Sequence, residues 1–219
     1  MTPREEDPTT SDRIMEGIRR SIYDGEMRPG EPLRQDHIAK KYKTSKPPVR
    51  EALRRLEAQD YVDFAPNRGF FVKVFTRSEI VNLFEMCALF EGHAVATGAA
   101  RLTRSDLLAL EGCVKRVAET GDIRDRLKAD SNFHIGLARG IRNDRIQARI
   151  AEFHAYFRMY YIVLDQQNLP RPTEMYRRIV ADLRNGNIMA ASSRIQVYML
   201  DEGRRLSALG DEAGSVSVL

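Results

Sequence analysis

Positive charge is concentrated between residues 40 and 55, and this cluster restricts the fold more than any other feature of the sequence. Seven of these residues are basic and a single one is acidic. The whole chain is nearly balanced, with 35 Lys and Arg against 31 Asp and Glu, so the position of the charge carries more information than its total. Lys46, Arg50 and Arg54 recur at four-residue spacing and therefore share one face of a predicted helix.

The opposite side of the same segment is apolar, because Val49, Leu53 and Leu56 follow each other at helical spacing. Three helices are predicted in this region, from Ser11 or Asp12 to Tyr23, from Gln35 to Tyr42, and from the N-cap Ser45 to Gln59. A helix with a buried apolar stripe and a basic outer stripe, placed after another helix across a tight connection, is typical of a helix-turn-helix. The second helix of that motif enters the major groove of DNA.

A β-hairpin is predicted directly after these helices. The β-prone runs Tyr61–Ala65 and Phe70–Val74 flank the turn residues 66–69. Gly69 allows a close approach of the backbone, and Arg68 suits a phosphate or the minor groove. The hairpin would therefore serve as a wing. Basic helix faces are also common on ordinary solvated surfaces, so a module that binds an acidic protein instead of DNA is a second interpretation.

From residue 79 onward the pattern is helical only. Breaks are expected near Thr103 and at residues 121–122, 140–143, 168–172 and 185–187, which gives about six helices. The predicted fold class is mainly α: an N-terminal winged helix-turn-helix over residues 9–75, a linker over 76–78, an all-helical bundle over 79–209 and a disordered tail over 210–219.

Composition excludes several other classes of protein. No apolar run approaches the roughly 20 residues of a membrane span, and the polar N-terminus does not resemble a secretory signal. The two cysteines, Cys87 and Cys113, form no CxxC pair, which argues against a cysteine-rich zinc module and a disulfide framework. We therefore expect a cytoplasmic protein with no membrane partner.

The nine residues from Ser45 to Leu53 (SKPPVREAL) carry a specific resemblance. With the flanking residues and the Arg68-Gly69 wing, they resemble the winged helix-turn-helix of the GntR family of bacterial transcription regulators. The family pattern has arginine and threonine where this chain has Lys46 and Pro47, and the other seven positions match. Because lysine lacks the bidentate fork with which arginine reads guanine, we expect DNA binding with a softer or different base choice at that step.

Residues 79–209 resemble the all-helical effector domain of the FadR-like branch of that family, the FCD domain. The resemblance rests on Glu85, Glu91, the segment Asp130-x2-Phe133-His134 and the pair Gly186-Asn187. It implies that an aspartate and three histidines can hold a divalent metal beside a small-molecule effector. Asp130 and His134 match the first two of these positions. Tyr176 and Tyr198 stand where the later histidines would be, and Cys87 stands where many relatives carry an arginine.

Two interpretations of Asp130 and His134 stay open. We favour an intrahelical hydrogen bond within a polar, phenol-lined pocket that suits a neutral or aromatic ligand, because a phenol with a pKa of about 10 is a poor metal ligand at neutral pH. The alternative is a divalent metal on Asp130 and His134, completed by water, the effector or His93. No cofactor is therefore certain. The predicted effector pocket contains Cys87, His93, Asp130, His134, Tyr176 and Tyr198.

The resulting prediction is a ligand-responsive, sequence-specific DNA-binding regulator that represses a bacterial metabolic operon. The resemblance implies a homodimer, and two copies of the motif related by a two-fold axis would read a palindromic operator in double-stranded DNA. The expected DNA-contacting residues are Arg34, Ser45, Lys46, Pro47, Arg50, Arg54, Arg68 and Gly69. The rival interpretation is a helical enzyme that uses Asp130 and His134 as a metal or acid–base pair, although no complete catalytic motif accompanies them.

Overall fold

The structure is a computed structural model that describes residues 8–163 and 171–208. Its contacts divide the chain after Val74 into two compact units. The predicted tail at residues 210–219 and most of the predicted break at 168–172 lie outside the described residues. No helix in the described part of the chain combines the length and the apolar character needed to cross a membrane.

The first unit consists of three helices and a hairpin. They are α1 (Thr10–Tyr23), α2 (Gln35–Lys41), α3 (Lys46–Glu57), β1 (Val62–Ala65) and β2 (Gly69–Val72). Helix α1 begins before the predicted Ser11 or Asp12, because Thr9 and Asp12 form a reciprocal capping box at its N-terminus. Ser45 is the N-cap of α3, as predicted. The core contains Ile14, Ile18 and Ile22 of α1 and Val49, Leu53 and Leu56 of α3.

The hairpin is antiparallel, and Val62 pairs with Val72 while Ala65 pairs with Gly69. Gly69 has a φ of +92°, a conformation that glycine adopts without strain. The segment before α2 holds the second strand from its other side, because Leu33 N–H donates to the carbonyl of Phe70 at 2.8 Å. The wing is therefore fixed to the helix-turn-helix through the backbone.

The second unit contains six helices in the described residues, as the sequence predicts. They are α4 (Arg77–Gly98), α5 (Arg104–Glu119), α6 (Ile123–Leu137), α7 (Asp144–Val163), α8 (Thr173–Arg184) and α9 (Ile188–Ala208). Residues 76–78, expected as a linker, instead start α4, because Thr76 caps the helix in a capping box with Glu79. Short 3-10 turns follow α4 and α6.

Two glycines set the distance between α4 and the end of α6. A Cβ atom on Gly98 would lie 2.5 Å from the backbone nitrogen of Ile141, and one on Gly140 would lie 2.2 Å from the carbonyl oxygen of Gly98. Neither distance is possible for real atoms, so this contact requires glycine on both sides. The close approach brings α4 against the α6–α7 connection, and the inward faces of α4, α6 and α7 meet in the core.

Candidate functional site

The predicted DNA-contacting residues of the first unit lie at its surface. Gly69 is half-buried and the other seven are exposed; these are Arg34, Ser45, Lys46, Pro47, Arg50, Arg54 and Arg68. Arg34, Lys46, Arg68 and Gly69 line one open groove, together with Asp36 and His37. The fold thus brings the start of α2, the start of α3 and the tip of the wing together, although they are up to 35 residues apart in the sequence.

Arg50 is the basic side chain of α3 that forms no ion pair among the described residues, whereas Lys46, Arg54 and Arg55 each form one. It is exposed. Lys46 contacts Asp36 at 2.8 Å, with both side chains largely exposed; such pairs contribute at most about 1 kcal/mol and are easily exchanged. Arg55 contacts Asp12 of α1 at 2.6 Å. That pair joins α3 to α1, so the role of Arg55 is to stabilise the packing of these two helices.

Arg54 is held against the hairpin. Its guanidinium lies 4.2 Å from the ring centre of Phe64 and 5.2 Å from that of Phe70, and it pairs with Glu57 at 2.7 Å. Cation–π contacts of this kind contribute on the order of 1 kcal/mol. Arg54 therefore orients the wing on α3, a role that the sequence pattern did not indicate.

The N-terminus of α3 offers fewer backbone donors than an ordinary helix start. The Ser45 side chain makes no capping hydrogen bond, and Pro47 and Pro48 in the first turn have no N–H group. A phosphate at this end would be held chiefly by the side chains of Ser45 and Lys46 and less by backbone amides than at an ordinary helix N-terminus.

A buried polar cluster lies at the centre of the second unit, around Glu91 of α4. One Glu91 oxygen lies 2.8 Å from Nδ1 of His134 on α6, and the other lies 2.5 Å from Nε2 of His154 on α7. Cys87, one helical turn before Glu91, donates its S–H to Glu91 at 3.3 Å. Each of these four residues is almost completely buried, so the cluster is a charged centre within the core.

The cluster continues to α8 through a phenol. Tyr176 Oη lies 2.8 Å from Nε2 of His134 and donates to Oδ1 of Asp130 at 2.5 Å. Its ring is fully buried and stacks on Phe133 at 4.0 Å. Tyr198 of α9 lies at the edge of the cluster, with its hydroxyl 3.4 Å from that of Tyr176.

These contacts fix where the protons lie. The carboxylate of Glu91 can only accept, so Nδ1 of His134 must donate to it. Tyr176 has one proton, which goes to Asp130, so its oxygen accepts from Nε2 of His134. His134 therefore donates from both nitrogens and is an imidazolium. This assignment differs from the predicted intrahelical bond between Asp130 and His134, because the Tyr176 hydroxyl stands between them.

The electrostatics agree with this assignment. Burial alone disfavours every charge in the cluster. The neighbouring His134 and His154 nevertheless lower the pKa of Glu91 far below its usual value, and Glu91 raises the pKa of His134 despite burial. Burial and the charge of His134 lower the pKa of His154, so His154 is neutral and donates from Nε2. Glu91 is thus ionised and paired with one positive histidine.

Five of the six predicted pocket residues come together here: Cys87, Asp130, His134, Tyr176 and Tyr198. The prediction for His93 is wrong, since its side chain is exposed; it follows Glu91 by two residues and so points about 200° away around α4. Two members of the cluster were missed, Glu91 as a pocket residue and His154. The available signals were the four-residue spacing of Cys87 and Glu91, and a histidine within the apolar stripe of α7.

Two small cavities adjoin the cluster. One of about 40 Å³ is lined by Asp130, Tyr161, Tyr198 and Glu202, with Arg126 and Arg205 on its wall. The other, of about 20 Å³, reaches His134 and His154 and is also lined by Tyr198. Each has room for only one to about three water molecules. A larger ligand therefore requires side chains around Tyr198 to move.

The donor set Cys87, Glu91 and His154 does not have the geometry of a metal site, although its ligand atoms lie within 4.8 Å of one another. Two ligands about 2.1 Å from a tetrahedral ion are about 3.4 Å apart, whereas Glu91 and His154 are 2.5 Å apart and share a proton. Burial and Glu91 also raise the pKa of the Cys87 thiol well above its usual value, which disfavours the thiolate that a metal needs.

The set implied by the resemblance does not fit a metal either. Asp130 and His134, with His154, lie close enough to share an ion. The Tyr176 hydroxyl, however, is already hydrogen bonded to both Asp130 and His134. Burial raises the pKa of Tyr176 well above 10, with Asp130 as the next contributor, so the phenol stays neutral and does not act as an anionic ligand.

Comparison with known proteins gives consistent matches for both units. The model of bacterial regulatory proteins of the gntR family matches residues 10–72, and the FCD domain model matches residues 82–200. The Nta operon transcriptional regulator of Aminobacter aminovorans is 31% identical over 121 residues, 54% of this chain and 58% of that protein. The HTH-type transcriptional repressor RspR of Escherichia coli K12 is 28% identical over 120 residues, 53% of each chain. This chain thus matches little more than half the length of these two relatives.

Among solved structures, a GntR transcriptional regulator from Rhodococcus sp. RHA1 is similar over nearly its whole length. It has a TM-score of 0.79 and 27% sequence identity, and the similarity covers 90% of this chain and 97% of that one. Both units therefore have counterparts in a single chain of known structure.

Proposed function

Because this chain belongs to the GntR family of bacterial regulatory proteins and carries an FCD domain, we propose that it is a ligand-responsive transcription regulator that represses a metabolic operon. The observation that carries the proposal is the exposed Arg50 on α3, which forms no ion pair in the described part of the chain. It lies one helical turn after Lys46, which lines the groove that joins α2, α3 and the wing. The relatives named above regulate the Nta operon or act as a repressor, and this chain would act in the same way, in the cytoplasm.

In the proposed complex, α3 lies in the major groove of double-stranded DNA. Arg50 and Lys46 would contact base edges and phosphates, and Ser45, Pro47 and Arg34 would lie at the backbone. Arg68 and Gly69 would bring the wing to the adjacent minor groove. Arg54 would contribute mainly by holding the wing in register, since it already contacts Phe64 and Phe70.

One winged helix-turn-helix covers only a few base pairs, so specific recognition requires two copies. A homodimer with two-fold symmetry would bind a palindromic operator, with half-sites about one helical turn of DNA apart or a multiple of that distance. The helical unit would supply the dimer contact.

The effector would bind beside the buried cluster, where Tyr198 lines both cavities. Asp130 is engaged by Tyr176, and Glu91 by both histidines. The Tyr198 hydroxyl, which borders both cavities, is the proposed direct contact to a neutral or aromatic ligand. Such a ligand changes repression only through its different affinity for the DNA-fitting and non-fitting states.

The enzyme interpretation is not supported. Glu91 and Tyr176 occupy both nitrogens of His134, and Tyr176 engages Asp130, so the pair has no free group for acid–base work on a substrate. The family and the relatives named above are transcriptional regulators.

The test of DNA binding is selection of random-sequence duplexes by the full-length protein, followed by affinity measurements on the enriched sequence. We expect a palindrome to be enriched, and its affinity to fall about 10³- to 10⁵-fold between 50 and 200 mM salt if six to ten phosphates are contacted. A DNA-inert module for acidic proteins would enrich no sequence, and that result would refute the proposal.

The test of effector binding is a thermal-shift screen of small metabolites on the wild-type protein. A ligand at about 100 times its Kd is expected to stabilise the protein by about 2.7 kcal/mol. Tyr198→Phe should reduce this shift strongly, whereas Tyr160→Phe, at a tyrosine that lines neither cavity, should not. The ligand and the operator must also change each other's affinity by the same factor; equal shifts in both tyrosine variants would place the effector elsewhere.

A further inference from the structure

We propose that the Tyr176 hydroxyl occupies the position of a divalent ion between Asp130 and His134, so that this bundle holds a phenol-bridged centre and works without metal. Tyr176 and Tyr198 stand at the two positions where the resemblance implies metal-binding histidines. This inference does not depend on the proposed DNA contacts or on the identity of the effector.

The geometry of the bridge carries the proposal. Asp130 and His134 lie four residues apart on α6 and project to the same side. The oxygen of Tyr176 lies 2.5 Å from the Asp130 carboxylate and 2.8 Å from Nε2 of His134. An ion bound by the same two atoms would be about 2.0 to 2.2 Å from each. The hydroxyl therefore already contacts both atoms that would bind such an ion, and it competes with the ion for the same two partners.

Tyr176 cannot easily leave this position. Its side chain has no exposed surface, and its ring stacks on Phe133 at 4.0 Å and meets the ring of Tyr198 edge-on at 5.6 Å. Moving this buried ring out of its packing would leave an unfilled space in the core. The charge that an ion would supply to Asp130 is replaced by the proton of Tyr176 and by the His134 imidazolium behind it. Asp130 and His134 therefore have hydrogen-bond partners without an ion.

Cobalt(II) provides the test, because it substitutes for zinc and absorbs visible light strongly when its coordination is tetrahedral. The wild-type protein, purified without chelator, is expected to contain far less than one ion per chain and to show no such absorption when an equivalent of cobalt is added. Its Tm should not change with chelator or with added metal. The variant Tyr176→His with Tyr198→His should take up about one cobalt per chain, with a chelator-reversible absorption and a higher Tm.

Two further variants make the result specific. Tyr176→Phe with Tyr198→Phe removes the hydroxyls and adds no ligand, so it should remain without metal. Asp130→Asn on the double-histidine background should weaken cobalt uptake at least about tenfold, since it removes a charged ligand.

Either of two results would overturn the proposal. One is a stoichiometric ion in the wild-type protein that is lost in Asp130→Asn. The other is a double-histidine variant that folds, by circular dichroism and a cooperative Tm, and still takes up no cobalt, since Tyr176 would then not stand at the place of an ion. If the double variant does not fold, the metal content and chelator response of the wild-type protein decide the question alone.

Discussion

Replacing Arg50 by alanine is expected to weaken sequence-specific DNA binding strongly and to leave both units folded. Arg50 is exposed on α3, so its loss removes no ion pair among the described residues and little buried surface. A bidentate contact from arginine to a base contributes about 1 to 3 kcal/mol. Two copies in a dimer give about 2 to 6 kcal/mol, which corresponds to a loss of roughly 30-fold to 10⁴-fold in operator affinity.

The measurement is a binding titration on the selected operator and on an unrelated duplex of the same length. The matched control is Arg142→Ala, which removes the same charge from an exposed position in the second unit and should leave operator affinity within about twofold. Affinity for the unrelated duplex should fall much less than operator affinity, because phosphate contacts remain. Normal operator binding by Arg50→Ala would mean that α3 is not the recognition helix.

The first unit could be predicted closely from the sequence because its signals are local. The four-residue spacing of Lys46, Arg50 and Arg54 gives the outer face of α3, and the alternation with Val49 and Leu53 gives its inner face. The role of Arg54 could not be predicted in this way. Whether it faces DNA or the wing depends on where Phe64 and Phe70 lie after folding, and helical spacing contains no information about that.

The second unit shows the same limit more clearly. The number of helices follows from turn residues, but the choice of Glu91 over His93 does not. Helix α4 carries apolar residues on several sides, including the exposed Met86 and Leu89, so its periodicity does not define a single inner face. The inner face is the side of α4 that packs against α6 and α7. The partners of Glu91 on these helices, His134 and His154, are 43 and 63 residues away from it in the sequence.

Glu91→Gln is expected to destabilise the helical unit by about 3 to 5 kcal/mol, the usual cost of removing one partner from a buried ion pair. The substitution keeps the size of the side chain, so the effect is electrostatic. In the wild-type protein both oxygens of Glu91 accept hydrogen bonds from histidine N–H groups. Glutamine has one accepting oxygen, and its NH₂ group would face the other N–H donor.

The pH dependence of stability provides an independent readout. The pKa of Glu91 is lowered in the folded state, so its stabilisation is complete above about pH 4.5, the unfolded value, and is lost as the pH falls through the folded pKa. The pKa of His134 is raised, so its stabilisation is complete below about pH 6.5 and is lost as the pH rises through the folded pKa. Glu91→Gln should remove both slopes, because it removes the carboxylate that supports each shift.

Calorimetric or urea unfolding across about pH 2 to 9 measures both effects, with the transition of the helical unit followed separately from that of the first unit. Glu85→Gln is the control, since Glu85 is an exposed acid on the same helix and its replacement should change the free energy of unfolding by less than about 0.5 kcal/mol. A wild-type pH profile retained in Glu91→Gln, or a loss below about 1 kcal/mol, would show that the cluster is not an ion pair.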